Sequence, residues 1–453
     1  MASEEPEKTE ERARRRPWRI ALLALGGIAA TLLFVALVGV VLFRSGYASS
    51  YVKDSFTERL SEMGIAFSAE AFDLQASPLE LHIREAIFND KLTGDKLFSL
   101  REAHLGMTIT DLLALRLTRE ISIDTTDITG AEVWVKFDEN GRSNFSNLKL
   151  VEDDAGAAVN FRYESVKFAV RESVVHFGDL KRSIDGDARN IVFLLSPLAR
   201  DALGDPLRFS FDLTSTDSNF SYDEKKIEDI DIRAQGLADD KGADITKFEL
   251  TTPVGRSTMT GRLTDWASPK YDLDIESTID MTQASAIFMT GTQLTGVGNF
   301  KGTVTGEGET YAIEGTADSE AMRIAGVYLK AVNVEATVAG TNANYEANGR
   351  AVAEMLTYDD FRVDWLKMAG NVRGTGTDLR WVGELEAAAA RAGDLSLGGL
   401  FLKDARSEFR DRQIIAEAGS GRTQRFAIGD TEFELLAARN LRFTQRDGAI
   451  DLS

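Results

Sequence analysis

The sequence predicts a mainly β protein: a single N-terminal transmembrane helix followed by an elongated, curled, repetitive β-sheet, trough- or solenoid-like, with a few short helices. Three observations predict it. One 24-residue stretch near the N-terminus carries no charge, apolar and polar residues alternate with period two from Ile65 onward, and the last third of the chain resembles itself. Composition bounds the reading. At 453 residues and 43% apolar, the chain is long and apolar enough to fold rather than stay disordered. With 52 basic against 72 acidic side chains its formal charge is −20, which excludes a reader of nucleic-acid phosphates and hence a nucleic-acid partner. Cysteine is absent, so there is no disulfide frame, thiolate metal site or cysteine nucleophile.

In chain order, residues 1–19 form a basic cytoplasmic tail, with Arg12, Arg14, Arg15, Arg16 and Arg19 close to Trp18. Residues 20–43, Ile20 to Phe43, are the transmembrane helix. A helix of that length reaches about 36 Å, more than the roughly 30 Å hydrocarbon core, and satisfies its own backbone there. Positive charge is concentrated before this segment, so the tail stays in the cytoplasm and the bulk lies on the other side. The core is too long for a cleaved signal peptide, and Ala48-Ser49-Ser50 is a poor cleavage site. Residues 44–64 are a juxtamembrane amphipathic helix, with Val52, Phe56, Leu60 and Met63 at helical spacing and Gly64 as its stop. It either lies on the membrane or closes one end of the β structure, the second being the more ordinary arrangement.

Residues 65–290 read as a β domain. Leu79, Leu81 and Ile83 alternate with charged neighbours, as do Val133, Val135 and Phe137; Val166, Phe168 and Val170; Leu207, Phe209, Phe211 and Leu213; and Tyr271, Leu273 and Ile275. Each run is a strand with one apolar and one solvated face. Asn140-Gly141, Asp185-Gly186, Asn348-Gly349 and Asp447-Gly448 are turn signals. Only Thr110–Leu115 and Met281–Met289 offer further helix, too little to cover so many strands. The sheet must therefore cover itself or cover something else.

Residues 291–453 carry Gly-rich repeats. Gly306, Gly308, Tyr311 and Gly315, then Gly326-Val327-Tyr328-Leu329-Lys330, match Gly374, Gly376, Leu379 and Gly383, then Gly399-Leu400-Phe401-Leu402-Lys403. The shift is 68 residues at the start and 73 at the end, implying a longer loop in the second copy; a weaker third copy begins near Phe426. The chain ends at Asp451-Leu452-Ser453 directly after a turn with no capping signal, as the N-terminal part of something longer would.

No catalytic centre is evident. The histidines, His82, His104 and His176, read as surface imidazoles without a metal-ligand spacing. Asp153-Asp154, Asp239-Asp240 and Asp359-Asp360 read as turns. The glycines of 296–308 lack the Lys-Ser/Thr of a phosphate loop, and no nucleophile elbow occurs. The expectation is no enzyme, no cofactor and no metal.

A further set of residues is similar to the AsmA and TamB group of bacterial envelope proteins. It comprises the basic tail and single anchor, Gly64-Ile65 through Phe72, Ser77-Pro78-Leu79-Glu80-Leu81, Ile87 to Asp90, Leu97 to Leu100, Asp111 to Leu113, Ile121 to Ile123, and Gly130 to Val135. Asp138, Gly141, Asn144 and Leu148 follow that group's D-x-x-G-x-x-N-x-x-x-L rhythm, and Val166 to Phe177 its strand pair. The Gly-rich repeats resemble those of TamB more than those of shorter relatives. The chain departs from the group in lacking a visible C-terminal domain that engages an outer-membrane partner. The resemblance implies an inner-membrane anchor crossed once, a periplasmic β trough, phospholipid acyl chains as cargo, and an outer-membrane assembly protein as a partner. Its groove would be lined by Leu79, Leu81, Ile83, Val133, Val135, Val166, Phe168, Val170, Phe209, Phe211, Leu273 and Ile275. The rival readings are a closed, membrane-tethered β scaffold that binds envelope proteins without lipid, and an anchored hydrolase built from distant carboxylates.

Overall fold

The computed structural model describes residues 48–453, apart from 77, 110–118, 150–158, 163–164, 201–205, 224, 267, 289–293, 325, 376–377, 411–412, 447–448 and 453. The protein is mainly β: the described residues form twenty-three strands and two helices. Among them no helix is long and apolar enough to cross a membrane. The basic tail, the 20–43 stretch and the Thr110–Leu115 expectation lie outside the described residues. The chain divides into two compact units, Met1–Pro197 with Ser218–Glu224, and Leu198–Asp217 with Lys225–Ser453. The compositional boundary at 290/291 falls inside the second.

The first unit opens with α1 (Ala48–Glu62). Its apolar stripe faces the core: Phe56 and Leu60 are buried and Met63 packs beside them. Of the two placements open to this helix, the structure shows it closing β structure. An antiparallel meander follows, β1 (Ile65–Ala76), β2 (Leu79–Asp90) and β3 (Lys96–Ile109). Glu85 sits at φ 48, a left-handed residue that reverses the facing of the strand while the register on both sides stays unbroken. The buried set therefore shifts from Leu81 and Ile83 to Ala86 and Phe88, leaving Ile87 exposed.

β4 (Arg119–Thr129) and β5 (Glu132–Phe137) act as one strand bent at Gly130, which adopts φ 66. Both pair with β3 on one side and run parallel to β7 (Lys167–Asp179) on the other. β6 (Val159–Arg162) extends the parallel contact along β4, and β8 (Ile184–Pro197) continues antiparallel from β7. One core fills this unit, with Phe56 edge-on to Phe67 at 4.6 Å and Phe88 stacked on Phe98 at 3.8 Å.

The residues of the D-x-x-G-x-x-N-x-x-x-L rhythm have local structural work. Asp138 accepts hydrogen bonds from the Asn140 and Arg142 backbone at 2.9 and 2.8 Å, and Gly141 supplies φ 74 for the turn. Asn144 clamps the end of β5 through Lys136 N–H at 3.0 Å and the Trp134 carbonyl at 2.8 Å. That delivers Phe145 into the core and sets Leu148 against it. Asn147 then donates to Asp90 at 2.7 Å, tying this loop to the end of β2.

The second unit is an antiparallel ladder. Its strands are β9 (Phe209–Tyr222, divided between the units at Asp217), β10 (Lys225–Ala238), β11 (Gly242–Thr252), β12 (Gly255–Thr264) and β13 (Lys270–Asp280). Then come α2 (Met281–Phe288), β14 (Leu294–Glu307), β15 (Thr310–Ile324), β16 (Val327–Thr341), β17 (Asn344–Tyr358) and β18 (Phe361–Thr375). β19 (Asp378–Ala392), β20 (Leu395–Arg410), β21 (Gln413–Ile428), β22 (Thr431–Arg446) and β23 (Ala449–Leu452) complete it. From β10 onward each strand pairs antiparallel with the next. Asp280 caps α2, accepting from the Thr282 and Gln283 backbone at 2.9 and 3.1 Å, and its other oxygen accepts from the Gln283 side-chain amide at 3.1 Å. Those bonds, Gln283 first, hold the Asp280 carboxyl below its usual range.

Two sequence expectations are corrected here. Asn140-Gly141 is a turn, but Asp185-Gly186 and Asn348-Gly349 lie within β8 and β17. Their glycines answer close backbone approach instead of turn geometry: a Cβ on Gly186 would meet the Asn219 carbonyl at 2.6 Å, and one on Gly349 would meet Ala336 at 2.8 Å. Asp447-Gly448 lies outside the described residues. The second correction concerns the repeat. The hairpins recur every 34 residues: Gly306, Gly340 and Gly374 are equivalent, as are Tyr311, Tyr345 and Leu379, and Gly315, Gly349 and Gly383. The expected 68-residue unit is two of these hairpins. Its 73-residue tail dissolves, because Gly326 lies in a turn whereas Gly399 lies inside β20 at φ 64, so the second copy has no longer loop.

Candidate functional site

The candidate site is the apolar face of the second unit, built row by row from the register. Leu273 pairs with Val304, then Ile313, Val338, Ala347, Val372 and Trp381 follow in line. Beside it runs a row of small residues: Gly302, Gly315, Ala336, Gly349, Gly370, Gly383, Ala405 and Ala418. On its other side stand Phe300, Ala317, Val334, Ala351, Met368, Leu385 and Leu402. At about 4.8 Å per strand, the eight strands of the small row span about 34 Å. None of these positions is charged. The tips of Phe300 and Trp381 lie over two glycines of the small-residue row, Gly302 and Gly383, where a Cβ would crowd them at 2.9 and 2.8 Å.

A fourth row alternates Tyr and Gly: Tyr271, Gly306, Tyr311, Gly340, Tyr345 and Gly374, ending on Leu379. Each tyrosine ring lies over the glycine of the next strand, filling the space its missing side chain leaves. Tyr311, Tyr345 and Leu379 line a depression of about 790 Å³ near these strand ends.

The opposite face is charged. Arg373 pairs with Glu346 at 3.0 Å, Lys330 with Glu354 at 2.8 Å, Arg380 with Glu408 at 3.4 Å, and Arg350 with Glu335. Hydrogen bonds from Arg373 and Asn371 hold the Glu346 carboxyl below its usual range. Exposed pairs of this kind contribute little to stability, so these ladders act mainly to keep this face wet and the register fixed.

What covers the apolar face decides its chemistry. α2 packs on β14, β13 and β10. Across β15–β22, among the described residues, extensive contacts are only between hydrogen-bonded neighbours, and most of the apolar rows are half-buried. A tighter patch forms at one end of the strands, where Ala353, Val363, Leu366, Ala387 and Ala390 are buried.

The twelve expected lining residues separate accordingly. Leu81 and Ile83 are fully buried in the first unit's core, and Val135 is buried there too. Leu79, Val133, Val166, Phe168 and Val170 pack against that core. Phe209, Phe211, Leu273 and Ile275 are half-buried in the second unit, with the Phe211 ring over Gly236. The glycine row and the tyrosine row went unread in the sequence. A 34-residue self-comparison was the signal that finds them.

One further polar cluster lies in the first unit. Asp187 accepts from His176 Nδ1 at 2.8 Å, Arg189 at 2.6 Å and Asn219 at 3.2 Å, and Trp134 stacks on His176. Burial by itself raises the Asp187 pKa, but these bonds outweigh it and hold the carboxyl at about 2.

No family model matches the chain, and no curated protein or solved structure matches it.

Proposed function

We propose that this chain is an inner-membrane-anchored periplasmic protein that conducts phospholipid acyl chains along its apolar sheet face, in the service of outer-membrane assembly, and that it performs no catalysis. The observation that carries this reading is the run of uncharged rows across β13–β20, with no covering layer of this chain over β15–β22 among the described residues. Such a face gains about 0.8 kcal/mol for each methylene it takes out of water. The small-residue row, about 34 Å long, is slightly longer than the roughly 30 Å hydrocarbon core of a bilayer, so two acyl chains fit end to end. The 20–43 segment supplies the anchor in this reading, and an outer-membrane assembly protein receives the far end.

The test is a photo-crosslinking amino acid placed at Ile313, on the apolar face, and at Thr316, on the charged face, followed by lipid extraction and mass spectrometry. Phospholipid captured at Ile313 and absent at Thr316 supports the conduit. A folded chain that carries no lipid and takes none up from vesicles sinks it and leaves the tethered β scaffold for protein partners.

A further inference from the structure

The charged face of the first unit holds a cluster that the functional reading does not use. Glu80 and His82 are two residues apart on β2, so both project from the same face. The antiparallel register sets His104 of β3 directly opposite His82. Their rings lie 4.5 Å apart, centre to centre. Nε2 of His82 and Nε2 of His104 each stand 3.4 Å from the same Glu80 oxygen, Oε2. All three donor atoms fall within 4.8 Å of one another. Nε2 of His104 is shielded from solvent and makes no hydrogen bond. An imidazole nitrogen held this way, beside a carboxylate and a second imidazole, is short of a partner.

We propose that Glu80, His82 and His104 bind one divalent ion of the zinc class. Zinc–nitrogen and zinc–oxygen bonds of about 2.0–2.2 Å at tetrahedral angles place neighbouring donors about 3.3–3.5 Å apart, which matches the two nitrogen-to-Oε2 separations. Two imidazoles and a carboxylate suit zinc, copper or nickel better than calcium or magnesium. The side chains are 31%, 27% and 30% exposed for His82, Glu80 and His104, so the cluster lies within reach of a solvated ion. Asp73 is the cross-strand neighbour of His82, and Asp127 that of His104, so carboxylates flank the imidazole pair on both sides. Because the ligands come from two strands, the ion staples β2 to β3 next to the core. A sequence read strand by strand cannot show this, since His82 and His104 meet only through the ladder.

The test uses the full chain, purified without a polyhistidine tag and stripped with chelator, titrated with Co²⁺ and then Zn²⁺. We expect one equivalent of Co²⁺ with the visible absorption of tetrahedral coordination, displaced by Zn²⁺, and a Zn²⁺-dependent rise in melting temperature. His82→Ala and Glu80→Gln each weaken binding at least tenfold and abolish the rise, whereas His176→Ala leaves both unchanged. Should His104→Ala fail to fold, His82→Ala carries the test, because circular dichroism and melting of the metal-free variant report its fold independently. No saturable binding by the wild-type chain, or equal binding by folded His82→Ala, overturns the proposal.

Discussion

The two units handle the same kind of strand in opposite ways. In the first, apolar strand faces meet α1 and an inserted loop, and their centre is dry: Phe56, Leu81, Ile83 and Ala103 have no exposure. In the second, β15–β22 present apolar rows to no other layer of the chain among the described residues, and most of those rows stay half-buried, the patch around Leu366 excepted. The difference lies in glycine and its neighbours. The first unit fills its face with interlocking phenylalanines and leucines around a helix. The second spaces its bulky residues with a line of Gly and Ala, lays Phe300 and Trp381 over it, and lays tyrosines over a separate set of glycines. One arrangement produces a core, the other a surface.

That contrast can be broken most sharply by a charge. Leu81→Asp is expected to unfold the first unit, since an unpaired carboxylate in its core costs several kcal/mol. Ile313→Asp in the half-open face is expected to cost under about 1 kcal/mol while abolishing lipid capture. Thermal melting with limited proteolysis reads the first difference and lipid mass spectrometry the second; equal destabilisation by both substitutions refutes the contrast.

A smaller effect is expected at the small-residue row. A Cβ at Gly383 runs into the Ala369 carbonyl, and the Trp381 ring stands at 2.8 Å. Gly383→Ala should cost about 1–3 kcal/mol through overpacking, seen as a lower melting temperature of the second unit. Gly94→Ala, at φ 78 with nothing within 4 Å of the added Cβ, reports the cost of positive φ without crowding, a cost that Gly383 does not carry. Smaller again is the tyrosine row: Tyr345→Ala uncovers Gly374 and should cost about 0.2–1 kcal/mol, measurable as faster amide exchange in β17 and β18.

The last expected effect is electrostatic and belongs to the first unit. The Asp187 pKa is lowered from 3.8 to about 2 in the folded chain, so its contribution to stability is fully present above about pH 4. It is lost as pH falls through about 2. The melting-temperature gap between wild type and Asp187→Asn should therefore narrow between pH 5 and pH 2; a gap that stays constant removes Asp187 as its source.

Much of the fold was legible in local pattern. Alternation in Leu79–Ile83, Val133–Phe137 and Tyr271–Ile275 fixed strands because a strand's side chains alternate whatever it pairs with. The 3.6-residue stripe of Phe56, Leu60 and Met63 likewise fixed α1 and its buried side. Composition alone also set the charge and the absence of thiol chemistry. Tertiary structure decided what pairing decides. Left-handed residues inside strands, such as Glu85, moved neighbours between faces, and close backbone approach drew Gly186 and Gly349 into strands where a turn was expected. The twelve expected lining residues were alike in sequence, yet eight joined a core beneath α1 and four joined a half-open face. Glu80, His82 and His104 converged only through register. Period and composition act along the chain and can be read there. Which apolar face is covered, and which side chains meet across a ladder, depends on contacts between residues far apart in sequence.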